Sequence, residues 1–487
     1  EGAGAEDAAT LRDQQLTTAR WLEGFLAPGY GPHGAAKLVV TGGDGEATWV
    51  RSPALALRET GSGPLLAPYV DLAARLHQAN GDGATAAVLL TARLVAAALR
   101  EASPAPPTWL EGYQLAARQA KAWLAANEAK SPAAEALAHV AEAGWAAVAV
   151  QGLARMAKAG EDLDLDAIDV RAEPEGPAWL DGVVLDAKDP PRVEGTVGVL
   201  VLDGGWSAKP RVEGAQATVR TTAALAGLAG AEDALRRRAS SLLLGLGVGL
   251  VVCAKAIDED LRGLLLDAGV AFWTDAPKSA LRRLEAATGA KRLARLEDAT
   301  AQDVGRASLV RRRPSKGWLV RGAGPSATFV VPAHSKPSAD AAVEAGERLL
   351  RAAGAVLPEA RSRALQGGGR WQRGLAASLR KAADLAPGKA PIAVHAAADA
   401  VDALADDLLR NAGRDALAGG VLADAEGVLD ASPCVRRAVA GAFETATALL
   451  RLDAAYAKRS SSAAGLRGGT GRSGSPKGMP GDIPPLM

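Results

Sequence analysis

Gly81-Asp82-Gly83-Ala84-Thr85, followed without a break by the apolar run Ala86-Ala87-Val88-Leu89-Leu90, places a carboxylate and small residues at the mouth of a predicted helix. The first turn of a helix has unsatisfied N–H groups and the positive end of the helix dipole. Glycine lets a phosphate approach that backbone with no Cβ in the way. The stretch reads as a phosphate site with Asp82 as a Mg²⁺ ligand, because an ion held largely by phosphates takes only one or two protein carboxylates. A plainer reading stays open beside it, in which Asp82 is an ordinary N-cap and the glycines are turn residues.

Two further glycine elements lie to either side. Tyr30-Gly31-Pro32-His33-Gly34-Ala35-Ala36 follows an amphipathic pattern running from Leu11 to Leu26 and leads into the strand-like Lys37-Leu38-Val39-Val40. Its glycines expose backbone amides to a second phosphate edge. Far downstream, Gly367-Gly368-Gly369 precedes a helical pattern through Leu375, Ala376 and Leu379.

The order of these pieces resembles the group II chaperonins, the archaeal thermosome and eukaryotic cytosolic chaperonin family, over nearly the whole chain. Leu110-Glu111-Gly112-Tyr113, Gly182-Val183-Val184-Leu185-Asp186, Thr288-Gly289-Ala290, Asn411-Ala412-Gly413 and Phe443-Glu444-Thr445-Ala446 carry the resemblance further. It implies a mainly α fold with α/β: a helical equatorial domain, a hinge-like intermediate domain and an α/β apical domain with a built-in lid protrusion. The implied boundaries are 1–135 and 371–457 equatorial, 136–190 and 326–370 intermediate, 191–325 apical, and a disordered Gly/Ser/Pro tail at 458–487.

The resemblance also implies ATP and Mg²⁺. Gly31, Pro32, Gly34, Gly81, Gly83, Ala84, Thr85, Gly367, Gly368 and Gly369 would hold the nucleotide, and Asp82 would bind the metal. Asp340, in Ser338-Ala339-Asp340-Ala341-Ala342, would position the attacking water, a role that suits phosphoryl transfer, where positioning and charge neutralisation do most of the work. Without the resemblance Asp340 reads as an N-cap after Pro337. The chain departs from the family pattern at Ser52, where a carboxylate is usual, at His33 for lysine, at Ala84 for threonine and at Gln372 for glutamate. The region between Asn411 and Pro433 is shortened, with Asp424 a weak stand-in for a nucleoside contact. These departures keep a second reading alive, a chaperonin-derived assembly scaffold with weak or absent ATPase. A kinase or ligase is a weaker third, since no acceptor-substrate constellation is visible.

Composition narrows the field. At 487 residues, 48% of them hydrophobic, the chain has room for about three domains. A net charge of +1 gives no general case for nucleic acid. Arg236-Arg237-Arg238 and Arg311-Arg312-Arg313 read as a solvated helix face or hairpin edge, because acids are near and aromatics are not interleaved. The two cysteines, Cys253 and Cys434, fit a reducing compartment. The first residues lack a basic start and apolar core, so a cytoplasmic protein is expected. The apolar stretch Leu242 to Ala254 is too short to span a bilayer and reads as a helix end entering a buried strand. Expected partners are like or paralogous subunits in a double ring and unfolded protein clients, with no nucleic acid and no membrane. Leu225 and Leu228 either face a client or lid, or pack on their own domain.

Overall fold

The computed structural model describes residues 8–41, 46–50, 52–57, 60, 63–100, 106–140, 144–157, 163–185, 195–208, 221–312, 317–357, 362–414, 420–421 and 427–452. The predicted tail at 458–487, Asp424 and Arg313 lie outside these residues.

From the N-terminus come α1 (Ala8–Leu26), the antiparallel hairpin β1 (Lys37–Thr41) and β2 (Glu46–Val50), then α2 (Pro53–Ala56), α3 (Ala67–Asn80), α4 (Ala84–Ala98) and α5 (Pro106–Asn127). Next are β3 (Ala129–Lys130), α6 (Ala133–Ala136), α7 (Trp145–Met156), β4 (Ile168–Glu173), β5 (Ala178–Asp181) and β6 (Val183–Leu185). An alternating stretch follows: β7 (Gly195–Leu202), α8 (Thr222–Gly245), β8 (Val248–Cys253), α9 (Glu259–Asp267), β9 (Ala271–Trp273), α10 (Lys278–Thr288), β10 (Arg292–Leu293), β11 (Gly305–Arg311) and β12 (Trp318–Arg321). The chain returns through β13 (Ala327–Pro332), α11 (Lys336–Val356), β14 (Arg363–Gln366), α12 (Arg370–Leu385), α13 (Ala390–Asn411), β15 (Leu429–Ala431) and α14 (Ser432–Leu449).

The helical body is organised by α4. Its residues Val88, Leu89, Leu90, Leu94 and Val95 are buried on every side, which suits only a helix surrounded by others. Around it close α1 with Leu22 and Leu26, α3 with Leu72 and Leu76, α5 with Tyr113, α13 with Val401 and Leu404, and α14 with Phe443, while α12 packs Leu375 and Leu379 against α13 and α5. The one polar group that Tyr113 brings into this core is satisfied, its hydroxyl donating to the Leu94 carbonyl at 2.7 Å. Two ends of the chain therefore build one core.

The segment between them forms two sheets, and its β14 joins β15 and β3 in a further small one. In the three-stranded sheet β13 pairs parallel with β4 and antiparallel with β5, and α7 and α11 bury Leu153, Leu349 and Ala353 against Phe329 and Val331. The larger sheet has the order β6-β12-β11-β7-β8-β9, with β10 also paired to β7. Its strands β7 and β8 are covered on both faces, and the period of two sorts their side chains: Val199, Val201, Leu250 and Val252 face α10, whereas Leu200, Leu202, Val251 and Cys253 face α8 and α9.

Several local expectations need correction. Arg236 does not belong to a solvated face: it is buried and paired with Asp258 at 2.9 Å, with Asp233 and Glu232 close by. Arg312 is likewise locked on Glu173 at 2.5 Å. Both are structural ion pairs linking separate elements. Trp21 is half-exposed and stacks on Phe25. Leu228 is exposed on α8, and the Leu225 side chain lies outside what is described. Among the described residues no helix is long and apolar enough to cross a membrane.

Gly112 is where α5 meets α13 most closely. A Cβ there would collide with Ala393 Cβ and come within 2.8 Å of the Ala390 carbonyl. Helix propensity alone favours alanine by about 1 kcal/mol, but overpacking costs about 1–3 kcal/mol. We expect Gly112→Ala to lower the urea midpoint of the helical body, a loss of about 1–2 kcal/mol; a raised midpoint would show that the two helices separate freely.

Candidate functional site

A cavity of about 870 Å³ opens where α3, α4, α11, α12 and the loop after α1 converge. The volume suits a ligand of nucleotide size. Gly31, Pro32, Gly34, Gly81, Asp82, Gly83, Ala84, Thr85 and Gly368 all line it, so the three glycine elements do meet in space. Gly367 and Gly369 do not line it: Gly367 donates its N–H to Val428, and Gly369 is the N-cap of α12. Ser52, Gln372 and His33 are lining residues as well.

The turn from α3 to α4 is specified by glycine. Gly81 ends α3 at φ 65° and Gly83 caps α4 at φ 82°. A Cβ on Gly81 would collide with the backbone carbonyl of Arg348 on α11, so that helix lies directly against the turn. With Gly83 in the cap position, Asp82 is not the N-cap. Its carboxylate is turned to side chains instead: Oδ2 is 3.2 Å from His139 Nε2, and Oδ1 is 3.6 Å from Arg348 Nη2. Arg348 also donates from Nε to the Gly81 carbonyl at 3.1 Å.

His139 is the residue that sequence reasoning missed. Its Nδ1 is 3.1 Å from the Leu429 carbonyl and 3.8 Å from Asp430 Oδ1. Carbonyl and carboxylate oxygens only accept, so a ring bonded to both must donate from both nitrogens, which is the imidazolium form. Burial works against that charge, but the bond to Asp82 and the fields of Asp430 and Asp82 prevail and raise the His139 pKa to about 9. Asp82 is the counterpart. Burial pushes its pKa up, yet the His139 hydrogen bond and charge, Arg348 and the Gly83 N–H hold it well below the usual carboxylate range. Asp430 moves the other way: burial raises it, only partly offset by His139 and the Trp371 indole at 2.8 Å.

The sequence resemblance implies Mg²⁺ held at Asp82. The donor set does not fit that ion as arranged: each Asp82 oxygen already faces a protein cation, and the second lining carboxylate, Asp430, is taken by Trp371 and His139. Among the described residues no group of three or more His, Cys, Asp or Glu is placed to hold a metal.

Asp340 is outside the cavity. It is exposed on α11 and is not the N-cap either, because Ser335 caps that helix in a reciprocal box with Ser338. Eight residues of helix separate it from Arg348, about 12 Å along the axis. Asn411, noted only as part of a motif, holds the Gly31 loop against α13, its Nδ2 donating to the Ala27 and Tyr30 carbonyls, both at 2.8 Å.

Residues 22–424 match the TCP-1/cpn60 chaperonin family. The chain is 28% identical to thermosome subunit 3 of Haloferax volcanii over 93% of this chain and 96% of that protein. It is 26% identical to thermosome subunit beta of Desulfurococcus mucosus over 82% and 86% of the two. Among solved structures, a group III chaperonin in the open state superposes with a TM-score of 0.72 at 20% identity, covering 92% of this chain and 99% of that one, a likeness of fold.

The His139 pKa is raised from 6.5 in the unfolded chain to about 9, so its contribution to stability is fully present below pH 6.5 and disappears as pH rises through about 9. Stability against thermal unfolding should fall across that window, by at most about 1.4 kcal/mol per pH unit from this group. His139→Gln should flatten the slope; an unchanged slope in the variant would remove His139 as its source.

Proposed function

The chain belongs to the TCP-1/cpn60 chaperonin family and is a chaperonin subunit, and we propose that it assembles with like or paralogous subunits into a double ring that encloses non-native proteins in the cytoplasm and opens and closes with ATP. Chaperonins as a family are ATPases that use Mg²⁺. The observation that carries the reading for this chain is the convergence of Gly31, Gly34, Gly81, Gly83, Thr85 and Gly368 on one cavity at the N-terminus of α4, where exposed amides and the dipole favour a polyphosphate.

On this reading the helical body is the equatorial domain, α7, α11 and the three-stranded sheet are the intermediate domain, and the larger sheet is the apical domain, with boundaries as expected from the sequence. Helix α11 is the moving part. It touches the phosphate turn through Arg348 and carries Asp340 toward its other end, so tilting α11 inward would bring Asp340 to the cavity to position the attacking water. Gly31, Pro32, Ala84 and Thr85 would then contact the phosphates. Neither a nucleic acid nor a membrane is a partner in this scheme; Arg236 and Arg312, the outer and central arginines of the two basic runs, are consumed in ion pairs.

A second reading, an assembly scaffold with weak or absent ATPase, is favoured by one observation: the Asp82 carboxylate is already neutralised by His139 and Arg348. The two separate in one experiment, ATP hydrolysis by the purified particle with electron-microscope imaging of its shape. We expect double rings that hydrolyse ATP, with Asp340→Ala lowering the rate at least about a hundredfold while the rings persist. Asp82→Ala, which releases both cations, should lower it too. Rings with no hydrolysis above background would establish the scaffold.

A further inference from the structure

We propose that this cavity binds the polyphosphate of its nucleotide without Mg²⁺, the Arg348 guanidinium supplying beside the mouth of α4 the countercharge that a metal ion would otherwise bring. The proposal rests on the nucleotide-binding reading above and deepens it.

Three observations converge. First, the carboxylates facing the cavity are spoken for. Asp82 is bracketed by His139 at 3.2 Å and Arg348 at 3.6 Å, and Asp430 accepts from Trp371 at 2.8 Å. A metal ion entering here would have to displace a guanidinium from a part-buried ion pair, in a site where Ser52 and Gln372 are neutral and add no further carboxylate. Second, Arg348 is fixed where a phosphate needs it. Its backbone carbonyl closes against Gly81, its Nε donates to the Gly81 carbonyl at 3.1 Å, and its side chain lines the cavity at 18% exposure. A guanidinium has five donors in a planar fork, of which the Nε–H is so engaged, and a fork of this kind matches phosphate oxygens. Third, a residue of the cavity wall carries a buried polar atom without a partner among the described residues. Gln372 is 1% exposed and lines the cavity, yet its Oε1 accepts no hydrogen bond among the described residues. A buried acceptor left unpaired is costly, and a hydroxyl or amino group of a bound nucleoside would relieve it.

The balance of charge favours the same outcome. Without ligand, Asp82 already lies between the Arg348 guanidinium and the His139 ring, and Arg414 is a further cation in the cavity lining. A divalent cation arriving with the polyphosphate would put three cationic centres around Asp82. A polyphosphate arriving alone meets Arg348, the amides of Ala84 and Thr85 and the helix dipole without that crowding.

The test is calorimetric titration of the assembled full-length protein with ATP and with ADP, in excess EDTA and in excess Mg²⁺. We expect dissociation constants that differ by less than about tenfold between the two conditions. In EDTA, Arg348→Gln should weaken binding by about tenfold or more, and Arg348→Lys, which keeps the charge, should lose less. A tenfold or greater loss of affinity on chelation in the unmodified protein would overturn the proposal while leaving nucleotide binding intact. Binding by Arg348→Gln in EDTA as tight as that of the parent would overturn it as well. Absence of binding in both conditions would overturn the nucleotide reading itself and this inference with it.

Discussion

The contact between the Arg348 carbonyl and Gly81 governs the architecture of the site. Because no side chain fits at Gly81, α11 can rest directly on the turn between α3 and α4. That seat brings two separately cored parts of the chain into register, the helical body around α4 and the α7/α11 layer on the three-stranded sheet. It also sets the electrostatics. The same residue that presses its backbone on the turn sends its guanidinium to the Gly81 carbonyl and toward Asp82. Arg351, one turn further on, reaches His77 of α3 at 3.1 Å and reinforces the seat. A helix tied at this point pivots about the site, so its exposed residues near Ser335 move furthest for a given tilt.

The ion cluster at the mouth of α4 is a closed set whose members sustain one another. Asp82 stays ionised because His139 and Arg348 face it; His139 stays protonated because Asp82 and Asp430 face it. A part-buried group of this kind costs more to break by removing one member than it contributes as a whole, since the remaining charges are left without partners. The cluster lies on the wall of a cavity and not in a core, so its members border open space.

How much of this is legible in the sequence depends on the range over which each signal acts. The three glycine elements are readable because each is local, a backbone conformation written into consecutive residues, and their order along the chain carries the family resemblance. The fold follows, down to α8 ending before the buried strand β8. His139 is not readable. It is a single histidine in an irregular stretch, and its two carboxylate partners lie 57 residues before it and in β15, far down the chain. Arg348 looks like any polar position of an amphipathic helix. Arg236 and Arg312 are misjudged for the same reason, their acids being brought in by tertiary structure as well as by sequence neighbours. Asp340 is found by pattern, and the pattern says nothing of how far the helix bearing it stands from the cavity.

The helical body is assembled from the two ends of the chain. Gln15 donates to the Leu449 carbonyl across 434 residues of sequence, and Thr91 approaches Ala442 across 351. During synthesis, therefore, α1, α3 and α4 leave the ribosome with Leu89, Leu90 and Leu94 uncovered and wait for α12, α13 and α14, at roughly 5–20 residues per second. The larger sheet, whose strands and helices are contiguous in sequence, has no such delay and can close first. Contacts of this separation make folding slow and the nascent intermediate sticky. This chaperonin subunit thus has a prolonged exposure of its own core, ended only when α14 arrives.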